Sequence, residues 1–236
     1  AQRSRRLSPS HDQPRLTRLD KVLWPKERIT KGDLIDYYRA IAPRILPYLE
    51  GRPESLNRHP HGIAAAGLYQ KDMTGYIPRW LRTERIFSES AHKSIDYVLC
   101  EDERSLLYLV NLGCIELNPW FSRIGSLDQP DFMVIDLDPD GNDFDHVIGI
   151  AHQVRTLLKK IGAPSVCKTS GATGIHIAVP MGARYGYDDG CAFAEAVCRL
   201  IAKRNPATAI GERNPNRRRG KIYLDFLRNR RGQSLA

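Results

Sequence analysis

Apolar residues recur at helical spacing in four stretches of the chain. From Asp143 to Lys160 they are Val147, Ala151, Val154, Leu158 and Ile161, a stripe that predicts a helix closed by Gly162. Leu34, Tyr37, Tyr38, Ile41 and Ile45 follow Thr30 and Asp33, a pair ordered as in a capping box; Pro43 and Pro47 leave the far end of that helix open. A third helix is expected in "RSLLYLVNLG", ended by Gly113, and a fourth with Phe193, Val197, Leu200 and Ile201 turned inward. Strand-length runs lie between them: "CIELNPW", "DFMVIDLDP", "SVCKTS" and "GIHIAVPM" around a tight "GATG" connection, and "IYLDFL". Residues 51–90, rich in Gly, Pro, His and Arg, read as loops with short strands. Strands and helices mix without regular alternation, so the fold class is α/β of the mixed α+β kind rather than a strictly doubly wound sheet.

The strand period then sorts the polar residues. In "FMVIDLDPDG", Asp136 and Asp138 share a face and Ile135 and Leu137 take the other. Two carboxylates so close raise each other's pKa unless a cation sits between them. They suit a divalent ion with oxygen ligands, or a strand end where acids reach solvent before an Asp-Pro-Asp-Gly turn. In "SGATGIH", Ser170, Gly171 and Gly174 form either an anion-holding nest or a plain hairpin turn, and His176 faces away from Ile175 and Ile177. Lys168 can share the face of Ser170. In "KIYLDFLRNRR", Ile222, Leu224 and Phe226 share one face and Tyr223 and Asp225 the other. Arg217, Arg218, Arg219, Lys221, Arg228, Arg230 and Arg231 surround Asp225, as a phosphate-binding set or a solvated basic loop. Three strand acids, a Ser/Gly/His turn and flanking arginines together suggest phosphoryl transfer with two metals.

Composition narrows the partners. The 236 residues carry a net charge of +9, which favours a polyanion such as nucleic acid, nucleotide or an acidic membrane surface. No apolar run approaches the roughly 20 residues of a membrane helix; the partners expected include no membrane. The start, "AQRSRRLSPSHDQPR", has no apolar core of a secretory signal and is expected to be a basic flexible tail over residues 1–15, ahead of one domain over 16–236. Five cysteines without a C-x-x-C spacing fit a reducing compartment and argue against a cysteine zinc site or a disulfide framework.

The motifs "LDKVLWP", "TKGDLIDYY", "YQK", "GCIELNPW", "IDLDP", "SGATGIH" and "YLDFLRNRRGQ", in this order, resemble the polymerase domain of bacterial DNA ligase D, within the archaeo-eukaryotic primase superfamily. The resemblance implies a primase-polymerase core with mainly antiparallel or mixed sheets flanked by helices. It implies a nucleotidyltransferase that adds nucleotides, ribonucleotides preferred, to primer 3′-hydroxyls at gaps and double-strand breaks in bacterial end joining. A DNA-end-binding module without chemistry and a stand-alone primase are the competing functions.

By the same resemblance Asp136, Asp138 and Asp225 bind two Mn²⁺ or Mg²⁺ ions and are catalytic. Ser170, Gly171, His176, Lys71, Arg58, Asn118 and Arg218 contact the incoming nucleoside triphosphate or primer. Lys21, Lys31 and Arg18 hold the downstream 5′-phosphate, and Tyr69 stacks on the template. Arg18 stands where many members carry Asn, Leu68 where some carry a second aromatic ring, and Asn118 where many carry His. An Asn cannot carry charge near neutral pH, so altered efficiency or nucleotide preference is expected. Gapped or broken DNA, Ku and a ligase domain are the implied partners, and the bacterial nucleoid the implied location. The C-terminus is expected to be shortened relative to the family.

Overall fold

The protein is described by a computed structural model over residues 14–75, 77–89, 91–212, 214–218 and 220–234. Most of the tail expected over residues 1–15, and Arg219, lie outside the described residues. The backbone carbonyl of Arg15 accepts from Asn111 Nδ2 at 3.3 Å, and Asn111 Oδ1 accepts from Thr17 N at 3.0 Å. The chain divides into two compact units, Ala1–Asn118 and Pro119–Ala236.

The first unit opens with a small ribbon, β1 (Val22–Trp24) and β2 (Ile29–Thr30), that runs into α1 (Lys31–Leu49). The capping box is present: Thr30 Oγ1 accepts from Asp33 N, and Asp33 Oδ2 accepts from Thr30 N at 2.8 Å. The helix continues through Pro43 and Pro47, both on its exposed side. An interior proline costs a helix about 3 kcal/mol. Burial of Leu34, Ile35, Tyr38, Ala42 and Leu49, at about 1.5–3 kcal/mol for each large side chain, outweighs it. Tyr37, expected on the apolar stripe, is exposed instead.

Next come β3 (Pro53–Arg58), β4 (Leu68–Gln70), β5 (Thr83–Ser88), β6 (Lys93–Leu99), α2 (Glu103–Asn111) and β7 (Cys114–Pro119). The sheet runs β4-β3-β6-β5, with β7 on β3. The six-pair β5–β6 hairpin was not legible from periodicity, because charged residues break both strands. Gly113, at φ +83°, closes α2 as expected, and a Cβ there would lie 3.0 Å from Pro60 Cα.

Glu54 is fully buried on β3, and neither carboxylate oxygen has a hydrogen-bond partner among the described residues. Burial pushes its pKa well above 4.5, against the opposing pull of Arg52. The folded state therefore binds more protons than the unfolded one above that value, and stability is lost as pH rises from about 4.5. Glu54→Gln keeps the shape and removes the titration. It is expected to raise stability at neutral pH by about 1–3 kcal/mol. Thermal denaturation from pH 4 to 8 checks this: the wild-type slope should flatten in the variant.

The second unit holds β8 (Phe132–Asp138), α3 (Phe144–Lys160), β9 (Val166–Thr169), β10 (Ile175–Pro180), α4 (Tyr187–Arg204), β11 (Ala209–Ile210), α5 (Pro215–Arg218) and β12 (Ile222–Asp225). Its sheet has the order β11-β12-β8-β10-β9, antiparallel except for the β11–β12 edge. Met133, Ile135, Leu137, Ile175, Ile177, Val179, Ile222 and Leu224 form a core with α3 and α4. Two phases differ from expectation. Ile161 is the exposed C-cap of α3, with Ile150 buried in the stripe. In α4 Ala194, Val197, Cys198 and Ile201 are inward, while Phe193 and Leu200 are largely exposed. Small residues permit close approach to the sheet, which a scan for large apolar side chains overlooks. All five cysteines are free.

Candidate active site

One face of the second unit's sheet is apolar and covered by helices; the acids occupy the other. Register decides which of them meet. Tyr223 pairs with Asp138 and Asp225 with Asp136 across β12 and β8, and His176 pairs with Asp136 across β10 and β8. Asp136 therefore has Asp225 on one side and His176 on the other, on the central strand. On β9 Lys168 pairs with His176, as the alternation allowed.

The turn between β9 and β10 is organised by the Ser170 side chain. Ser170 Oγ accepts from Gly174 N at 2.9 Å and Ala172 N at 3.2 Å, which leaves the hydroxyl proton to donate. Ser170 N donates to Gly174 O at 2.9 Å. Gly171, at φ +90°, turns the backbone. Gly174 lies so close to β8 that a Cβ would fall 2.3 Å from the Leu137 carbonyl oxygen, so the turn is seated between Asp136 and Asp138 along that strand.

Arginines meet the carboxylates. Arg218 Nη1 donates to Asp138 Oδ2 at 2.9 Å, and its guanidinium lies 4.1 Å from the Tyr223 ring centre. Arg228 Nε lies 3.6 Å from both Asp136 Oδ2 and Asp225 Oδ2. Asp225 Oδ1 accepts from Leu227 N at 2.8 Å and from the Tyr223 hydroxyl at 3.3 Å. Burial pushes the Asp136 carboxyl up to about 6, with Arg228 opposing and Asp225 and Asp138 adding to the rise. Burial, then Lys168 and Arg228, lowers His176 to about 4, so its contact with Asp136 at 3.6 Å joins a neutral imidazole to the acid. Among the described residues, the buried His176 Nδ1 has no hydrogen-bond partner.

Among the described residues, no three of His, Cys, Asp and Glu are already gathered as a metal cage. The donor set nevertheless fits divalent cations. Three carboxylates share one face and the central one is buried; their oxygens are the ligand type such ions take, in addition to the arginines that meet them here.

In the first unit, the hydrogen bond from Lys31 N to Lys21 O, at 2.8 Å, draws the start of α1 against the residues before β1. Lys21 Nζ donates to the Pro60 carbonyl and Lys31 Nζ to the Thr17 carbonyl at 2.6 Å. Lys31 is buried, and its amine is lowered by burial and by the neighbouring Lys21 and Arg18. The first backbone N–H groups of α1 are already taken, Lys31 N by Lys21 O, Gly32 N by Leu19 O and Asp33 N by Thr30 Oγ1. Arg58 is already engaged, with Nε and Nη2 on the Leu112 carbonyl at 3.1 and 3.0 Å and Nη1 on Gln70. Tyr69 is half exposed, with Lys71 Nζ 5.9 Å from its ring centre. Asn118 is buried on β7, its amide 3.5 Å from the Glu116 carbonyl.

Sequence reasoning named Arg228 only as one of a run of cations and gave Tyr223 no role. The first is placed by a turn, which leaves no periodic signal. The second shares its strand face with Asp225, a signal that was available.

The architecture is that of a polymerase domain. A solved structure described as the polymerase domain from Mycobacterium tuberculosis ligase D in complex with DNA aligns with a TM-score of 0.88 at 24% identity, over 95% of this chain and 80% of that one. The chain belongs to the LigD primase-polymerase domain family, whose model matches residues 30–236. The bifunctional non-homologous end joining protein LigD of Bacillus subtilis is 30% identical over the whole chain, which spans 38% of that relative. The multifunctional LigD of Pseudomonas aeruginosa is 30% identical over 94% of the chain, which spans 26% of it.

Proposed function

We propose that the chain is the polymerase module of a bacterial end-joining system. It extends primer 3′-hydroxyls at gaps and broken DNA ends from nucleoside triphosphates, with ribonucleotides preferred. The observation that carries this reading is the register that sets Asp136 against Asp225, with Asp138 on the same face and the Ser170–Gly174 turn seated on the same strand. Asp136, Asp138 and Asp225 would hold two divalent ions, Mn²⁺ or Mg²⁺. Such ions, when bound, neutralise the charge that develops as a 3′-oxygen attacks the α-phosphate and pyrophosphate leaves.

The protein's own groups do the rest. Ser170 donates its hydroxyl proton to a triphosphate oxygen, and Gly171 lets the backbone approach it. His176, neutral, offers a ring N–H without adding charge beside the acids. Arg218 and Arg228 supply cations that follow the triphosphate as well as the carboxylates. Arg58, Lys71, Asn118 and Tyr69 stand as primer, nucleotide and template contacts on the strength of their motifs. Lys21, Lys31 and Arg18 would receive the downstream 5′-phosphate. Ku and a ligase domain are proposed partners, and the nucleoid the proposed location. Among the described residues no helix is long and apolar enough to cross a membrane.

The test is extension of a gapped duplex with and without the downstream 5′-phosphate, in Mn²⁺ and in Mg²⁺, comparing ribo- and deoxyribonucleotides. Binding without extension would make the chain an end-binding module, and synthesis without a primer would make it a primase. Lys31→Met keeps the buried stem and removes the charge. It is expected to weaken binding of the 5′-phosphorylated gap about tenfold, the scale of one charge-assisted hydrogen bond, and to leave the 5′-hydroxyl gap unchanged. Competition binding of the two duplexes checks it.

A further inference from the structure

β12 accompanies β8 only as far as the Asp225–Asp136 pair. Two residues further along β8, a side chain continues the ladder. Asn229 Oδ1 accepts from Val134 N at 2.7 Å, and Asn229 Nδ2 donates to Val134 O at 2.8 Å. The same Nδ2 donates to Phe226 O at 2.8 Å. Asn229 is buried, at 2% exposure, and nothing charged faces its amide through these bonds. An Asn side chain offers the same donor and acceptor as a peptide group, so it replaces a strand residue at Val134. Without it, a buried N–H and C=O would be orphaned on the central strand.

The replacement has a consequence for the acids. Because the side chain serves Val134, the backbone from Phe226 to Arg228 is released to turn. Leu227 N then caps Asp225 Oδ1, and Arg228 swings back to within 3.6 Å of both Asp136 and Asp225. Beyond the turn the chain is fixed again, with Arg231 Nε on Asp128 Oδ1 at 2.7 Å and a bridge between Trp120 and Ser234.

We infer that Asn229 is a positioning residue of the carboxylate site: its amide locks β8 to the Asp225–Arg228 turn and so fixes the spacing of Asp136, Asp225 and Arg228. This rests on the polymerase reading of those acids. Asn229→Ala and the isosteric Asn229→Asp, which turns a carboxylate against the Val134 carbonyl, are compared with wild type and with Val154→Ala. Val154 is buried in the α3 core, with Ile135 and Leu137 on the sheet face opposite the acids, and its variant reports a purely structural loss.

Both Asn229 variants are expected to lose kcat in primer extension roughly 100-fold, the scale of a misplacement of about 1 Å, with KM for the nucleotide within about threefold. Hydrogen exchange at the Val134 amide should accelerate in Asn229→Ala relative to Val154→Ala, whereas Asn229→Asp keeps the acceptor for that amide and loses only the donor to the Val134 carbonyl. Wild-type kcat in Asn229→Asp, or a loss no larger than that of Val154→Ala at equal melting temperature, overturns the inference. If the wild-type protein extends no primer, the polymerase reading falls, and Mn²⁺ binding by calorimetry decides instead. A tenfold weaker affinity in Asn229→Ala upholds the clamp, and an unchanged one overturns it.

Discussion

Asp136→Asn and Asp225→Asn are each expected to lower primer extension by roughly 100- to 1,000-fold or more, and Asp136→Asn to do so without lowering the melting temperature. The activity loss follows from the proposed reaction. Positioning and charge stabilisation supply most of the catalysis in phosphoryl transfer, and the register places each acid among the three proposed metal-binding carboxylates. The thermal result follows from electrostatics. Asp136 is buried at 7% exposure between Asp225 and Asp138, so the folded state bears both its desolvation and its neighbours' repulsion. Arg228 offsets part of that cost from 3.6 Å. A neutral isostere removes the charge and keeps the volume. Extension assays on a gapped duplex with Mn²⁺, beside thermal denaturation, read the two effects separately. Undiminished extension by either variant would remove the acids from the mechanism. A large drop in melting temperature in Asp136→Asn would assign that acid to the fold.

Gly174→Ala should be the most disruptive single methyl in the second unit's site. The added Cβ would lie 2.3 Å from the Leu137 carbonyl oxygen, which is backbone of the central strand and cannot swing aside. Either the β9–β10 turn lifts off β8 or the strands part, at a cost of about 1–3 kcal/mol for overpacking. Lifting the turn carries Ser170 away from Asp136 and Asp138, so KM for the nucleotide is expected to rise about tenfold, the loss of one charge-assisted hydrogen bond. Gly171→Ala is the contrast. It has open space around the new Cβ but sits at φ +90°, so its cost is backbone strain alone. Steady-state kinetics and denaturation of the two variants test the distinction. Equal behaviour would mean that contact with Leu137 does not seat the turn.

Much of the site was legible in sequence because strand alternation is local. The same-face relation of Asp136 and Asp138, the opposite placing of Ile135 and Leu137, and the pairing of Tyr223 with Asp225 on one face follow from a period of two and recur in the structure. The capping box at Thr30 and the positive φ at Gly113 are local too. Helix phase was less secure. In α4 the inward positions are set by which residues permit close approach to the sheet, so Ala194 and Cys198 displaced the larger Phe193 and Leu200. In α1 the summed burial of its inner face outweighed two prolines that local rules treat as breakers.

The sequence by itself determined four strands of the second unit's sheet, β8, β9, β10 and β12, but not the β11 edge, together with the face each acid occupies and the motifs that mark the family. Only the tertiary structure decided which acids oppose one another, that Gly174 lies against Leu137, and that Arg228 reaches Asp136 and Asp225 across a turn held by Asn229. The reason is physical. Side-chain direction along a strand follows from the backbone's own geometry. Strand order and register follow from hydrogen bonds and packing between segments distant in sequence, and no local pattern encodes them.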